Sequence, residues 1–320
     1  MLPTYAATES GALRQIGVEV EFAGLDLERC VRSIAECLDA SFEFVTEYEA
    51  LLDAGTLGSF RVEVDNHFLK DLGRLREEHG ELDLLQSGFE AVLSAAIGTL
   101  TPIELVTPPL APSQLLLLDH VLERLSREGA VGTQDGVLSA FGVHYNPRLW
   151  SLDPSTIWHH LQAYCALEPW LRRSLEVDLA RRVSGFIQSY PLSFVERVIS
   201  NAAPSDHATL VDEYLAHNPT RNRALDLLPL LTHLSRERVE STLGESDLSA
   251  RPTFHFRLAN SFVGDPRWSI TEGWRHWLLV EDVAGDPERL DLILRHYRRS
   301  LARGDSRRSW SQEVERWLEA

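Results

Sequence analysis

Five segments spread over the chain alternate apolar with ionisable or polar residues at a period of two: GVEVEF (17–22), FRVEVD (60–65), IELV (103–106), GVHYN (142–146) and TFHFRL (253–258). In an extended strand successive side chains point to opposite faces. Val18, Val20 and Phe22 therefore share one face, and Glu19 and Glu21 the other. The same count sets Phe60, Val62 and Val64 against Arg61, Glu63 and Asp65, and Ile103 and Leu105 against Glu104. It also sets Val143 and Tyr145 against His144 and Asn146, and Phe254, Phe256 and Leu258 against Thr253, His255 and Arg257. Each strand offers an apolar face to a core and carboxylates, imidazoles or a guanidinium on its reverse.

An antiparallel sheet with one wet face gives polar alternation by itself. Such a face is usually dressed with Lys, Thr, Ser and Gln as well as acids, and here lysine is nearly absent. Taken together, the five strands carry side chains suited to divalent cations and phosphate. Carboxylates from several strands hold Mg²⁺ or Mn²⁺ loosely enough to leave positions for nucleotide phosphates.

Between the strands run amphipathic helices. LERCVRSIAECLDA and LDLLQSGFEAVLSAAIG separate the early strands, and SQLLLLDHVLERLSRE has a Ser start and a Gly after it, as a capped helix does. The pattern is α+β. From about 151 to 248 the sequence is helical, including ALDLLPLLTHL, and reads as an insertion within one catalytic domain spanning 1–320. Three helices, beginning near SITEGW, DPERL and SWSQEV, close the chain.

With 320 residues, 44% of them hydrophobic, the chain can bury one large core or two joined ones. Its apolar runs are interrupted before the length of a membrane span, and the first residues lack a secretory pattern, so a cytoplasmic location is expected. Three scattered cysteines suggest neither disulfides nor a zinc ribbon. A net charge of −17 argues against nucleic acid. The basic stretch RHYRRSLARGDSRRS reads as solvated surface, and Trp268, Trp274 and Trp277 as packing residues. No Walker A loop, G-x-G-x-x-G, G-x-S-x-G or H-E-x-x-H occurs. His159 and His160 are adjacent on a helix and point apart, which makes them poor joint ligands.

Set in order, these segments resemble the amidoligase family, a branch of the superfamily containing glutamate-cysteine ligase and glutamine synthetase. GVEVEF matches the opening G-[VI]-E-[VIL]-E-F strand, VEVDNHFLK the acidic second strand, and IELVTPPL the E-[IL]-V-[ST]-P-P-L segment. FGVHYNP matches the G-x-H strand, and FHFRLAN a late strand that in many relatives reads E-F-R. The resemblance implies an open, mostly antiparallel sheet, a glutamine synthetase-like half-barrel, with the active site on its concave face and helices behind it. It implies ATP and Mg²⁺ or Mn²⁺ as cofactors, and an acyl phosphate that an amine converts to an amide.

By position, the resemblance makes Glu19, Glu21, Asp65, Glu104 and His144 metal-facing, with Glu63 second in rank. Glu21 and Arg257 would be catalytic, and Arg257, Asn260 and Asn146 would meet phosphate or substrate. His255 stands where many relatives carry Glu; imidazole ligates Mn²⁺ or Zn²⁺ more readily than Mg²⁺, so it joins the metal set with a shifted preference. Asn66 and His67 depart from the family's turn. HNPTRNR crowds donors ahead of a helix, and Arg221 and Arg223 suit capping or anchoring a carboxylate or phosphate.

The leading expectation is an ATP-dependent ligase joining an amine to a small-molecule or peptide carboxylate, with a glutamine amidotransferase partner conceivable by family association. A metal-dependent hydrolase on the same carboxylates, or a non-catalytic relative that binds nucleotide or a partner, are the alternatives.

Overall fold

The computed structural model describes residues 3–64, 102–133, 141–177, 187–244 and 248–318. Asp65, Asn66, His67 and the helical pattern over 82–98 lie outside the described residues. Among the described residues, eight strands form one open sheet in which every neighbouring pair is antiparallel. They are β1 (Ile16–Phe22), β2 (Ser41–Thr46), β3 (Glu49–Asp53), β4 (Ser59–Val64), β5 (Ile103–Val106), β6 (Gly142–Pro147), β7 (Leu225–Asp226) and β8 (His255–Asn260). Their order across the sheet is β2-β3-β4-β5-β1-β6-β8-β7. All five segments with period-two alternation became strands, and β1 lies near the centre.

Nine helices occur among the described residues: α1 (Leu27–Leu38), α2 (Leu115–Arg127), α3 (Pro154–Ser174), α4 (Leu192–Ser200), α5 (His207–His217), α6 (Leu228–Leu243), α7 (Ile270–Ala284), α8 (Pro287–Ala302) and α9 (Arg307–Leu318). Local chemistry fixes their starts. Asp26, Asp206, Ser269 and Asp286 each accept a backbone N–H of the first turn. The Ser113 start of α2 is not a cap: a 3₁₀ turn over Pro112–Gln114 comes first, and Gln114 Oε1 accepts the Ala111 N–H at 2.7 Å. The segment ALDLLPLL is not helical throughout either. Leu225 and Asp226 pair with β8, and the helix begins at Leu228, because Pro229 belongs in a first turn, where its missing N–H costs nothing.

The apolar face of the sheet packs on helices. Trp277 of α7 meets Phe254 and Phe256, Trp274 meets Tyr145, and Tyr164 of α3 meets Phe256 edge-on. The two tryptophans are buried, as packing residues should be. Tyr145 donates its hydroxyl to the Ile270 carbonyl at 2.8 Å, and Gly273 makes room for it: a Cβ there would lie 2.3 Å from the phenolic oxygen. Arg14, just before β1, is buried and paired with Glu281 of α7, which also accepts the Trp277 indole N–H. These contacts clamp β1 and β6, the two strands that carry Glu19, Glu21, His144 and Asn146, onto the helical layer.

Among the described residues no helix is long and apolar enough to cross a membrane. Cys30 and Cys165 are buried and all three thiols are free. In the basic stretch near the C-terminus, Arg295 pairs with Asp291 and Arg303 with Asp305 close by in the chain, and Arg307 with buried Glu168 of α3.

Candidate active site

Strand register sets the polar face. Glu21 lies opposite Glu104, Glu104 opposite Glu63, and Glu63 opposite Glu49, so four glutamates cross β1, β5, β4 and β3 in one row. Like charges in direct cross-strand register are destabilising by roughly 0.2–1 kcal/mol per pair. Arg61 offsets part of this, its Nε lying 3.4 Å from Glu63 Oε2. In the adjoining row Glu19 faces His144 across the β1–β6 pair, two residues along from Glu21.

Glu19 is the hub of the second row. Its Oε2 lies 3.0 Å from His144 Nδ1, and its Oε1 accepts the Asn146 amide N–H at 3.1 Å. Arg251 Nη1 stands 3.7 Å from the same oxygen. Asn146 Oδ1 is 2.7 Å from His255 Nδ1. Because the Asn146 nitrogen is committed to Glu19, its oxygen faces His255, and His255 must carry its proton on Nδ1. The remaining nitrogen, His255 Nε2, then offers a lone pair. It is buried, has no hydrogen-bond partner, and lies 3.9 Å from Glu19 Oε2.

Glu21 is anchored separately: the Gly142 N–H donates to Oε2 at 2.6 Å, and His144 Nε2 lies 3.7 Å from Oε1. His144 thus has one ring nitrogen towards each carboxylate.

Burial works against charge on Glu19, yet His255 when it is protonated, the His144 hydrogen bond and the Arg251 guanidinium hold its carboxyl below the usual carboxylate range. Burial likewise drives His255 well below the ordinary imidazole value, reinforced by Arg257, with Glu19 opposing. Glu19 is therefore ionised and His255 neutral at physiological pH, the pair of states a cation needs in its ligands.

Arg257, on β8, donates from Nη2 to Asp226 Oδ2 at 3.1 Å, and burial raises the Asp226 carboxyl despite that guanidinium. Arg221 is exposed but close enough to Asp226 to act on it electrostatically. Arg223 points elsewhere: it donates to the carbonyls of Ser189 and His217 and fastens the loop before β7. Asn260 donates to the Glu176 carbonyl at 2.9 Å. His160 is enclosed by Trp150, Phe254 and Trp277, on the packed side of the sheet.

The structure therefore brings together Glu19, Glu21, Glu104, His144, Asn146 and His255, with Glu63 next in the row and Arg257 on the neighbouring strand. Asp65 lies outside the described residues. Arg251 and Asp226 were missed by the sequence reading. Arg251 was within reach of the period-two count, four residues before His255 on the same side. Asp226 was hidden inside what read as a helix.

Two trios place one potential ligand atom per residue within 4.8 Å of one another: Glu19, His144 and His255, and Glu21, Glu104 and His144. The donor set, with a lone-pair nitrogen that nothing else occupies, fits a divalent ion. Neither the curated proteins nor the solved structures supply a match to this chain. The family described as "Putative amidoligase enzyme" matches residues 13–279, from before β1 to within α7, and so takes in both trios. The chain, a ligase-type enzyme by its family, belongs to the amidoligases.

Proposed function

We propose that this amidoligase is an ATP-dependent carboxylate–amine ligase that works through an acyl phosphate on a glutamine synthetase-like sheet, with a small-molecule or peptide carboxylate as acceptor. The observation that carries the reading is the pair of ligand trios joined through His144 on the polar face of the central strands. A carboxylate oxygen of the substrate takes the γ-phosphoryl group of ATP as the bond to the bridging oxygen breaks, and ADP leaves. The amine nitrogen then attacks the acyl carbon and loses a proton, and phosphate departs with the carbon–oxygen electron pair.

Divalent ions bound by the trios would neutralise charge on the transferring phosphoryl group. The chain's own contribution is electrostatic and positional. Glu19 is kept ionised by the groups around it, and Glu21 is fixed by the Gly142 N–H. Arg257, held by Asp226, supplies a guanidinium to the phosphate or the substrate carboxylate. Arg221, which also acts on Asp226, would be the second cation to assist.

The test is calorimetric titration with ATP, in Mg²⁺ and then in Mn²⁺, of wild type and Glu19→Ala, followed by ADP release with mixtures of acids and amines. Metal-dependent ATP binding that the variant loses supports the ligase. Metal-dependent hydrolysis without ATP consumption would replace it with a hydrolase on the same carboxylates. A wild type that binds no nucleotide with either metal overturns it in favour of a non-catalytic relative.

A further inference from the structure

The two trios share His144, and a neutral imidazole has one lone pair. His144 can therefore complete only one of them at a time. His255 decides which. Its Nε2 is buried, unpartnered and directed at Glu19 Oε2, with the proton fixed on Nδ1 by Asn146 Oδ1. An ion at Glu19 and His255 would take the place of the His144 Nδ1 proton, which without the ion is donated to Glu19 Oε2 3.0 Å away. The proton of His144 would then sit on Nε2, 3.7 Å from Glu21 Oε1, where it can only reinforce that carboxylate.

We propose that the two positions are chemically distinct. Glu19, His144 and His255 form a two-nitrogen, one-oxygen site for a resident d-block divalent ion. Glu21 and Glu104 are left as an oxygen-only position for a hard ion such as Mg²⁺ that arrives with a nucleotide.

Two imidazoles and one carboxylate suit Mn²⁺, Co²⁺ or Zn²⁺, whereas Mg²⁺ holds oxygen ligands and parts reluctantly with its water. The site is prearranged for this. The Nδ1–H of His255 is held by the Asn146 side-chain carbonyl, an outer hydrogen bond of the kind that orients a ligating imidazole. His255 is 5% exposed, so water does not offer Nε2 a ready alternative. The Glu21–Glu104 pair sits in the row of four glutamates, where added positive charge relieves repulsion whatever its softness.

The division of labour rests on the ligase reading for its use of nucleotide, but the resident ion does not, so the two are tested apart. Metal-stripped protein without nucleotide is titrated with Mn²⁺, Co²⁺ and Mg²⁺ by chelator competition, and electron spin-echo modulation of the Mn²⁺ form counts directly coupled nitrogens. One Mn²⁺ or Co²⁺ should bind at least 100-fold more tightly than Mg²⁺, with two nitrogen couplings. In His255→Glu the preference should fall at least tenfold and one coupling should vanish; circular dichroism and thermal melting of His255→Glu and His255→Gln establish that each is folded. Equal affinity for Mg²⁺ and Mn²⁺, or bound Mn²⁺ with one nitrogen coupling or none in wild type, overturns the proposal even if neither variant folds. A resident ion with two nitrogens in a protein that never releases ADP would uphold this inference and sink the ligase.

Discussion

Asn146 Oδ1 lies 2.7 Å from His255 Nδ1 while the nitrogen of the same amide reaches Glu19 Oε1 at 3.1 Å. One side chain thus orients a carboxylate and an imidazole towards a common point. Residues that orient metal ligands typically contribute 10–100-fold to affinity.

Asn146→Leu should therefore weaken Mn²⁺ binding about 10–100-fold, with circular dichroism and thermal melting used to establish that the variant is folded. Asn146→Asp should recover part of the loss by restoring an acceptor for the His255 Nδ1–H, at the cost of repulsion from Glu19. Chelator competition on both variants decides the point. If leucine and aspartate bind Mn²⁺ equally, the amide does not orient His255.

The glutamate row makes a second expectation. Glu21 faces Glu104, and Glu63 and Glu49 follow, so the metal-free sheet carries like charges in register. Salt screens such repulsion, with a Debye length of about 10 Å at 0.1 M. Replacing Glu21 by Gln removes one charge and leaves an oxygen to accept the Gly142 N–H. In chelator, raising NaCl should therefore stabilise wild type more than Glu21→Gln, by about 0.5 kcal/mol within the range for opposed charges. Urea midpoints at two salt concentrations measure it. Equal salt responses would mean that Glu21 feels no repulsion from its row.

How far the sequence exposed this arrangement depended on how local each cause was. The strands carrying Glu19, Glu104, His144 and His255 were legible because a period of two is written into consecutive residues. The hairpin β2–β3 was not: Thr46 and Glu49 close it around a two-residue Glu47–Tyr48 turn without Gly, Asn or Asp. Glu49, the outer end of the glutamate row, was missed with it. Strand order was equally hidden, because the Glu21–Glu104 and Glu19–His144 pairings join residues about 80 and 125 positions apart, and no local propensity encodes such a register. Arg223, whose neighbours suited either capping or an anion, shows the same limit: the backbone carbonyls it meets, those of Ser189 and of His217 at the end of α5, come from segments that its own neighbours do not reveal.

On the packed side of the sheet, His160 sets a pH dependence that has nothing to do with metal. Its Nδ1–H donates to the Thr156 carbonyl at 2.7 Å among aromatic rings, and burial, helped by Arg14 and His159, pushes its pKa down to about 3. In the unfolded chain the imidazole titrates near 6.5. Between those values the unfolded state binds a proton that the folded state refuses, so stability falls as pH drops below about 6.5, by up to about 1.4 kcal/mol per unit. His255 is displaced in the same direction and adds to the slope. His160→Phe keeps a ring among Trp150, Phe254 and Trp277 and removes the proton site. In chelator, wild type should lose about 2 kcal/mol more than His160→Phe between pH 7 and pH 5, read from urea midpoints. Parallel losses would show that His160 accepts a proton inside the fold, which the ring of aromatic neighbours argues it does not.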